Sequence, residues 1–222
     1  MELVDSFAAA VSGITPGQTV MVSGFGSAGQ PVELLEALAD RGIGGLTIIS
    51  NNAGNGDGGI ARLIALGLVD HVVCSFPRQS DSWHFDEAYR AGRIRLTVVP
   101  QGNLAERIRA AGAGIPAFYT PTGYGTLLAE GKETRSFDGR WHVLETALHA
   151  DVALVKAHRA DARGNLVYRK TARNFGPVMA AAARTTIVQV DEVLPPGGID
   201  PEHVVTPGIF VDRVVAARTK AA

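Results

Sequence analysis

Four short β-branched runs, Thr19–Ser23, Leu46–Ser50, His71–Cys74 and Ile94–Val98, recur roughly every 25 residues with helix-patterned segments between them. Parallel strands need a crossover between them, so this rhythm constrains the chain to βαβ units and a sheet covered on both faces. The intervening segments place apolar residues at helical spacing: Val32, Leu35, Leu38 and Ala39, then Ile60, Leu63, Ile64 and Leu66, then Leu104, Ile108 and Ala111. Their apolar faces are expected to cover the sheet. With 222 residues, 46% of them hydrophobic, the chain can bury a full core, and one domain over residues 1–222 is predicted.

After about residue 115 the rhythm changes. Thr120-Pro-Thr-Gly-Tyr-Gly-Thr126 is turn-rich, and Asp138-Gly139 between two alternating runs is a type I′ hairpin signal. Val152–Val155 and Thr186–Val190 are expected to return to the main sheet, with Asn165–Tyr168 as an accessory strand. Pro195-Pro-Gly-Gly198 leads to a predicted C-terminal strand, Ile209–Val215. The expected fold is α/β: a three-layer α/β/α sandwich around an open, mainly parallel sheet, with a small β-hairpin insertion.

The bulk chemistry excludes several classes. A formal net charge of -1 gives no basic excess for a phosphate backbone, so no nucleic-acid partner is expected. The sequence lacks a basic segment followed by an apolar one at its start, and lacks an apolar stretch of the roughly 18 residues a membrane span needs. A cytoplasmic location is the expectation. The single Cys74 ends an apolar run and reads as a packed small hydrophobe. The six histidines show no HxxxH or HxH spacing, so no metal site is predicted.

Thr19-Val-Met-Val-Ser-Gly-Phe-Gly-Ser-Ala-Gly-Gln-Pro31 reads as a buried strand breaking into a glycine loop that opens a helix. Such a loop can offer bare N–H groups to an anion. Gly24, Gly26 and Gly29 match GxGxxG, but a dinucleotide site also needs an acid at the end of the second strand, and Ser50-Asn51-Asn52 stands there. The same glycines would serve close packing of strand on helix.

Four ordered segments carry a resemblance: Gly24-Phe-Gly-Ser-Ala-Gly-Gln-Pro31, Pro100-Gln-Gly-Asn-Leu-Ala-Glu-Arg107, Phe118-Tyr-Thr-Pro-Thr-Gly-Tyr-Gly-Thr126 and Gly164-Asn-Leu-Val-Tyr-Arg-Lys-Thr-Ala-Arg-Asn-Phe175. Together they resemble the A (alpha) subunit of family I CoA-transferases, which have the CoA-transferase/NagB-like fold. The likeness is greatest to members acting on 3-oxoadipate, through Ser75-Phe-Pro-Arg-Gln-Ser-Asp-Ser82, Asn174-Phe-Gly-Pro177 and Val204-Val-Thr-Pro-Gly-Ile-Phe210. Acetoacetate-type members share most of these residues. The resemblance implies transfer of CoA from an acyl-CoA such as succinyl-CoA to a 3-oxoacid, with coenzyme A as substrate and no permanently bound cofactor.

The family's nucleophile is a glutamate in a Ser-Glu-Asn-Gly motif of the B (beta) subunit, and Glu130-Gly-Lys132 is the nearest imitation here. The resemblance therefore implies a hetero-oligomer with a B chain, without which this chain is inactive. It also implies that Gln101 supplies the side-chain half of an oxyanion hole. Independently, Gln101 lies just past a strand end, where ligands gather in open α/β sheets. Gly24, Phe25, Gly26 and Gly29, with Gly123, Tyr124 and Gly125, are the expected substrate or CoA loops. Asn174 joins them as a candidate.

A dicarboxylate substrate needs a cation, and Arg binds one bidentately. Arg78, Arg169, Lys170 and Arg173 are the candidates, the last three also for CoA phosphates. Trp83, Phe85 and Tyr89 share a helical face and are expected in the core or at a subunit interface. Two other readings fit the same fold class, a non-catalytic ligand-binding domain and a nucleotide-cofactor oxidoreductase.

Overall fold

The computed structural model describes residues 1–217. The first half runs β1 (Glu2–Leu3), α1 (Phe7–Ala10), β2 (Thr19–Val22), α2 (Val32–Asp40), β3 (Leu46–Ile49), α3 (Ile60–Ala65), β4 (Val69–Cys74), α4 (Trp83–Arg90), β5 (Arg95–Val98) and α5 (Gln101–Gly112). The second half continues with β6 (Ala117–Thr120), β7 (Thr134–Phe137), β8 (Arg140–Thr146), β9 (Ala150–Lys156), β10 (Arg159–Asp161) and β11 (Leu166–Val167). It closes with α6 (Gly176–Ala182), β12 (Ala183–Val190), β13 (Glu192–Leu194) and β14 (Arg213–Ala216).

Eight strands form one sheet in the order β1-β14-β12-β9-β2-β3-β4-β5, and every pairing in it is parallel. Alternation along β2 separates the layers: Val20 and Val22 enter one core with Leu34, Leu38, Leu63 and Phe85, while Met21 enters the other with Leu104, Ile108 and Met179. Helices α1 to α4 thus cover one face, and α5 and α6 the other. A side chain changes face at each step along a strand, which is why one apolar run feeds both cores.

The chain winds outward from β2 through β3 and β4 to β5, then returns on the other side through β9, β12 and β14. Loops leaving β2 and β9 at their carboxyl ends therefore diverge, and the crevice between them is where open α/β sheets bind ligands. The glycine loop leaves from β2.

The predicted hairpin is present. Asp138 and Gly139 hold φ of 50° and 75° between Phe137 and Arg140, the left-handed pair that a type I′ loop requires. β6 adds a third antiparallel strand to it, while β10, β11 and β13 form a separate small sheet.

Three details differ from the sequence pattern. Val32 and Leu66 are exposed, because α2 turns Leu34 inward and α3 ends one residue before Leu66. The final strand begins at Arg213 rather than Ile209, because Gly208–Phe210 closes a single 3₁₀ turn in which Phe210 N–H donates to the Pro207 carbonyl at 3.1 Å. Phe85 is core, while Trp83 and Tyr89 stay half-exposed, Tyr89 stacking on Phe85 with centroids 5.6 Å apart. Among the described residues no helix is long and apolar enough to cross a membrane.

Candidate active site at the carboxyl ends of the strands

The glycine loop is a tight hairpin. Phe25 and Ala28 exchange main-chain hydrogen bonds of 3.0 and 3.2 Å, and the Gln30 Nε2 donates back to the Gly26 carbonyl at 2.9 Å. Ser23, fully buried, donates its hydroxyl to the Gly29 carbonyl at 2.8 Å and accepts from Lys156 N–H at 3.0 Å, which pins the loop to β9. Asn174, reaching across 150 residues of sequence, accepts from Gly24 N–H at 3.1 Å. Its Nδ2 donates to the Ala28 and Thr171 carbonyls, each at 2.9 Å, and its Oδ1 also accepts from Phe175 N–H at 2.7 Å.

This geometry narrows the anion-cradle reading. The loop's N–H groups at Gly24, Phe25 and Ala28 are used internally, and Pro31 has none. At the start of α2, Leu34 N–H donates to the buried Gln189 Oε1 at 3.3 Å, and Gln189 in turn donates to the Glu33 carboxylate. One donor of the first turn of α2, Leu34 N–H, is thus taken by a protein group rather than left for a ligand. Two glycines are required for contact: a Cβ on Gly29 would lie 2.5 Å from the Ala172 carbonyl oxygen, and one on Gly24 would lie 2.6 Å from Gln30 Cγ. At Gly26 the space is open and only its φ of 58° favours glycine.

Gln101 is the first residue of α5, exposed and directly after Pro100 at the end of the β5 connection. Two cavities meet at Gln101 and Phe25. One, of about 460 Å³, is lined by Phe25, Gly26, Asn51, Ser75, Phe76, Gln79 and Gln101. The other, of about 240 Å³, is bounded by Phe25, Gln101, Ala105, Asn174, Phe175 and Val178. Neither has a carboxylate in its lining. The loops after β2, β3 and β4 and the start of α5 thus converge on neutral amides, those of Asn51, Gln79 and Gln101, with half-exposed Phe25 and Phe76 at the lip.

Sequence pattern alone does not single out Asn51. It is buried, and its Oδ1 accepts from the Ser75 hydroxyl at 2.8 Å, which leaves its Nδ2 as a donor for whatever enters the larger cavity. The signal that could find it is the polar Ser50-Asn51-Asn52 ending an otherwise apolar buried strand. In the same turn the Ser50 hydroxyl and the Asn52 Nδ2 are buried without a partner among the described residues.

The other candidates lie apart. Gly123, Tyr124 and Gly125 belong to the antiparallel β6-β8-β7 region, where Tyr124 stacks on Trp141 at 5.7 Å, and they line neither cavity. Their nearest tie to Gln101 is Asn103, whose Nδ2 donates to the Thr122 carbonyl at 3.3 Å. Arg78 is committed to Asp86 at 2.6 Å. Arg169, Lys170 and Arg173 are exposed on the 3₁₀ turn beside Asn174, Lys170 at a φ of 50°. Burial pushes the nearby Tyr168 hydroxyl up to about 12, with the hydrogen bond to Thr206 and the Arg173 charge opposing it. Glu130 is exposed at the end of a 3₁₀ turn. Among the described residues no group of three His, Cys, Asp or Glu side chains could hold a metal ion. Burial likewise pushes the Cys74 thiol up to about 12, so it is no nucleophile at neutral pH.

The chain is 66% identical to the A subunit of 3-oxoadipate CoA-transferase from Pseudomonas putida, over 98% of its own length and 94% of the relative's. It is 53% identical to the A subunit of succinyl-CoA:3-ketoacid coenzyme A transferase from Xanthomonas campestris, over 97% and 88%. Among solved structures, glutaconate coenzyme A-transferase of Acidaminococcus fermentans superposes with a TM-score of 0.87 at 22% identity, over 98% of this chain and 76% of that one. An acyl-CoA transferase of Escherichia coli O157:H7, solved as a thioester complex with CoA, gives 0.85 at 24% identity, over 99% of this chain and 48% of that one. These two likenesses establish the fold. The family profile described as Coenzyme A transferase matches residues 4–217, and the chain belongs to that family.

Proposed function

We propose that this chain is the A half of a two-chain CoA-transferase that moves CoA from succinyl-CoA to 3-oxoadipate, with the nucleophilic glutamate supplied by a B chain. The observation that carries the reading is the Gln101 amide, set where two cavities meet and where no carboxylate of this chain lines either one. The relatives named for 3-oxoadipate and for 3-ketoacids support the substrate class.

The chemistry follows from acyl transfer. The partner glutamate attacks the thioester carbonyl, a tetrahedral oxyanion forms, and the CoA thiolate leaves to give an acyl-glutamyl anhydride. The thiolate then attacks the glutamyl carbonyl, releasing the first acid and leaving a glutamyl-CoA thioester. The 3-oxoacid carboxylate repeats the sequence in reverse, and the glutamate is regenerated. Each tetrahedral intermediate places a negative charge on one oxygen, and a neutral donor fixed before the reaction stabilises it without a proton transfer. Gln101 Nε2 fills that role.

Asn51 Nδ2 and the glycine hairpin line the same cleft and position the acyl group. The exposed Arg169, Lys170 and Arg173 suit the distal carboxylate of a dicarboxylic oxoacid or the CoA phosphates. Gly123, Tyr124 and Gly125 lie outside the cavities and connect to the site only through the Asn103 hydrogen bond to Thr122. CoA enters as a substrate, and a cytoplasmic location fits both substrates.

The test is to purify this chain alone and with its B chain, then follow succinyl-CoA consumption with 3-oxoadipate and with acetoacetate. Turnover only in the complex, and faster with 3-oxoadipate, is the expected result. Turnover by this chain alone would overturn the division of labour.

A further inference from the structure

A buried carboxylate lies outside both cavities and takes no part in the chemistry above. Glu145, on β8, is 3% exposed. It is held by three partners: Lys132 Nζ at 2.7 Å, Asn103 Nδ2 at 3.3 Å and Arg107 Nη1 at 3.7 Å. A buried carboxylate is tolerated only when its charge and lone pairs are met in this way. Two of the three partners, Asn103 and Arg107, sit one turn apart on α5, so they present one helix face to it. Arg107 also donates to the Thr146 carbonyl at 2.8 Å, and Asn103 also donates to the Thr122 carbonyl at 3.3 Å.

The first turn of α5 is the turn that begins with Gln101. No described side chain engages the Gln101 amide, so the helix backbone beneath it fixes the point from which that side chain reaches into the cleft. What locks that backbone from the side is Asn103, two residues on, through Glu145 and Thr122.

We propose that Glu145 and Asn103 are positioning residues for Gln101: the buried Glu145 cluster fixes the first turn of α5 against the hairpin region and so holds the Gln101 amide on the developing oxyanion. This rests on the reading of Gln101 as the oxyanion donor. A donor of that kind must be held tightly, since a displacement of about 1 Å can cost roughly 100-fold in rate. The cluster also joins the Thr122–Gly125 loop to the helix that carries Gln101, which gives that loop a role without contact to either cavity.

The experiment is a double-mutant cycle in the assembled two-chain complex, with turnover, Michaelis constants and melting temperature measured for each variant. Asn103→Ala is expected to lower kcat about 10-fold with both Michaelis constants within twofold. In a Gln101→Ala background the same change is expected to cost less than about twofold, because residues acting as a unit are non-additive. Lys132→Met, on a half-exposed side chain, is the second probe should Asn103→Ala fail to assemble: about 3-fold in kcat, again lost in the Gln101→Ala background. An equal loss in both backgrounds, or no loss in the wild-type one, overturns the positioning role alone. A Gln101→Ala complex with wild-type turnover overturns the oxyanion reading and this proposal together.

Discussion

Two glycine-rich loops, Gly24–Gly29 and Thr122–Gly125, look alike in sequence and are built on different physics. In the first, contacts from distant parts of the chain dictate the shape: Asn174 holds Gly24 and Ala28, Lys156 N–H anchors the Ser23 hydroxyl that holds Gly29, and the Ala172 carbonyl leaves no room for a Cβ. In the second, Gly125 has open space around it and only a φ of 75° asks for glycine, while Tyr124 rests on Trp141. The first loop is a fixed wall of the cleft, and the second is a surface turn tied to the site only through Asn103. The same residue type therefore reports a steric requirement in one place and a local turn in the other.

Substitutions separate the two. Gly29→Ala combines a left-handed φ with a 2.5 Å clash on backbone and should cost about 2 to 5 kcal/mol. Chemical denaturation of the assembled complex measures it, and a loss under about 1 kcal/mol would show that the wall yields. Asn174→Ala strands the hydrogen-bonding groups of Gly24, Ala28 and Phe175, and should cost about 2 to 3 kcal/mol with a fall in kcat. If its denaturation midpoint and turnover match wild type, the loop is shaped by its own turn after all. Gly125→Ala should cost only about 1 kcal/mol, from the positive φ alone, with unchanged turnover. A larger loss in turnover would move that loop into the cleft.

Most of the fold is legible in the sequence. Short β-branched apolar runs at regular spacing give β2 to β5, and Asp138-Gly139 gives the hairpin, because these signals are local. The strand at Glu2–Leu3 is not legible, since two exposed residues carry no pattern and only pairing with β14 makes them a strand. The candidate site is legible in the sequence at Gln101, through its place just past a strand end where open α/β sheets gather ligands. The glycine loop and the start of α2 are less legible, because the groups that engage them, Asn174 and Gln189, come from far along the chain. Asn174 illustrates the same limit: a candidate for substrate contact, it spends both amide atoms on the main chain of the loop.

The central claim is that this chain holds the oxyanion donor while the nucleophile lies on its partner. The most direct measurement is to incubate the two-chain complex with succinyl-CoA, trap the glutamyl thioester with hydroxylamine, and find the modified chain by mass spectrometry. A hydroxamate on a B-chain glutamate, with none on this chain, is the predicted result. A hydroxamate on any glutamate of this chain would contradict it.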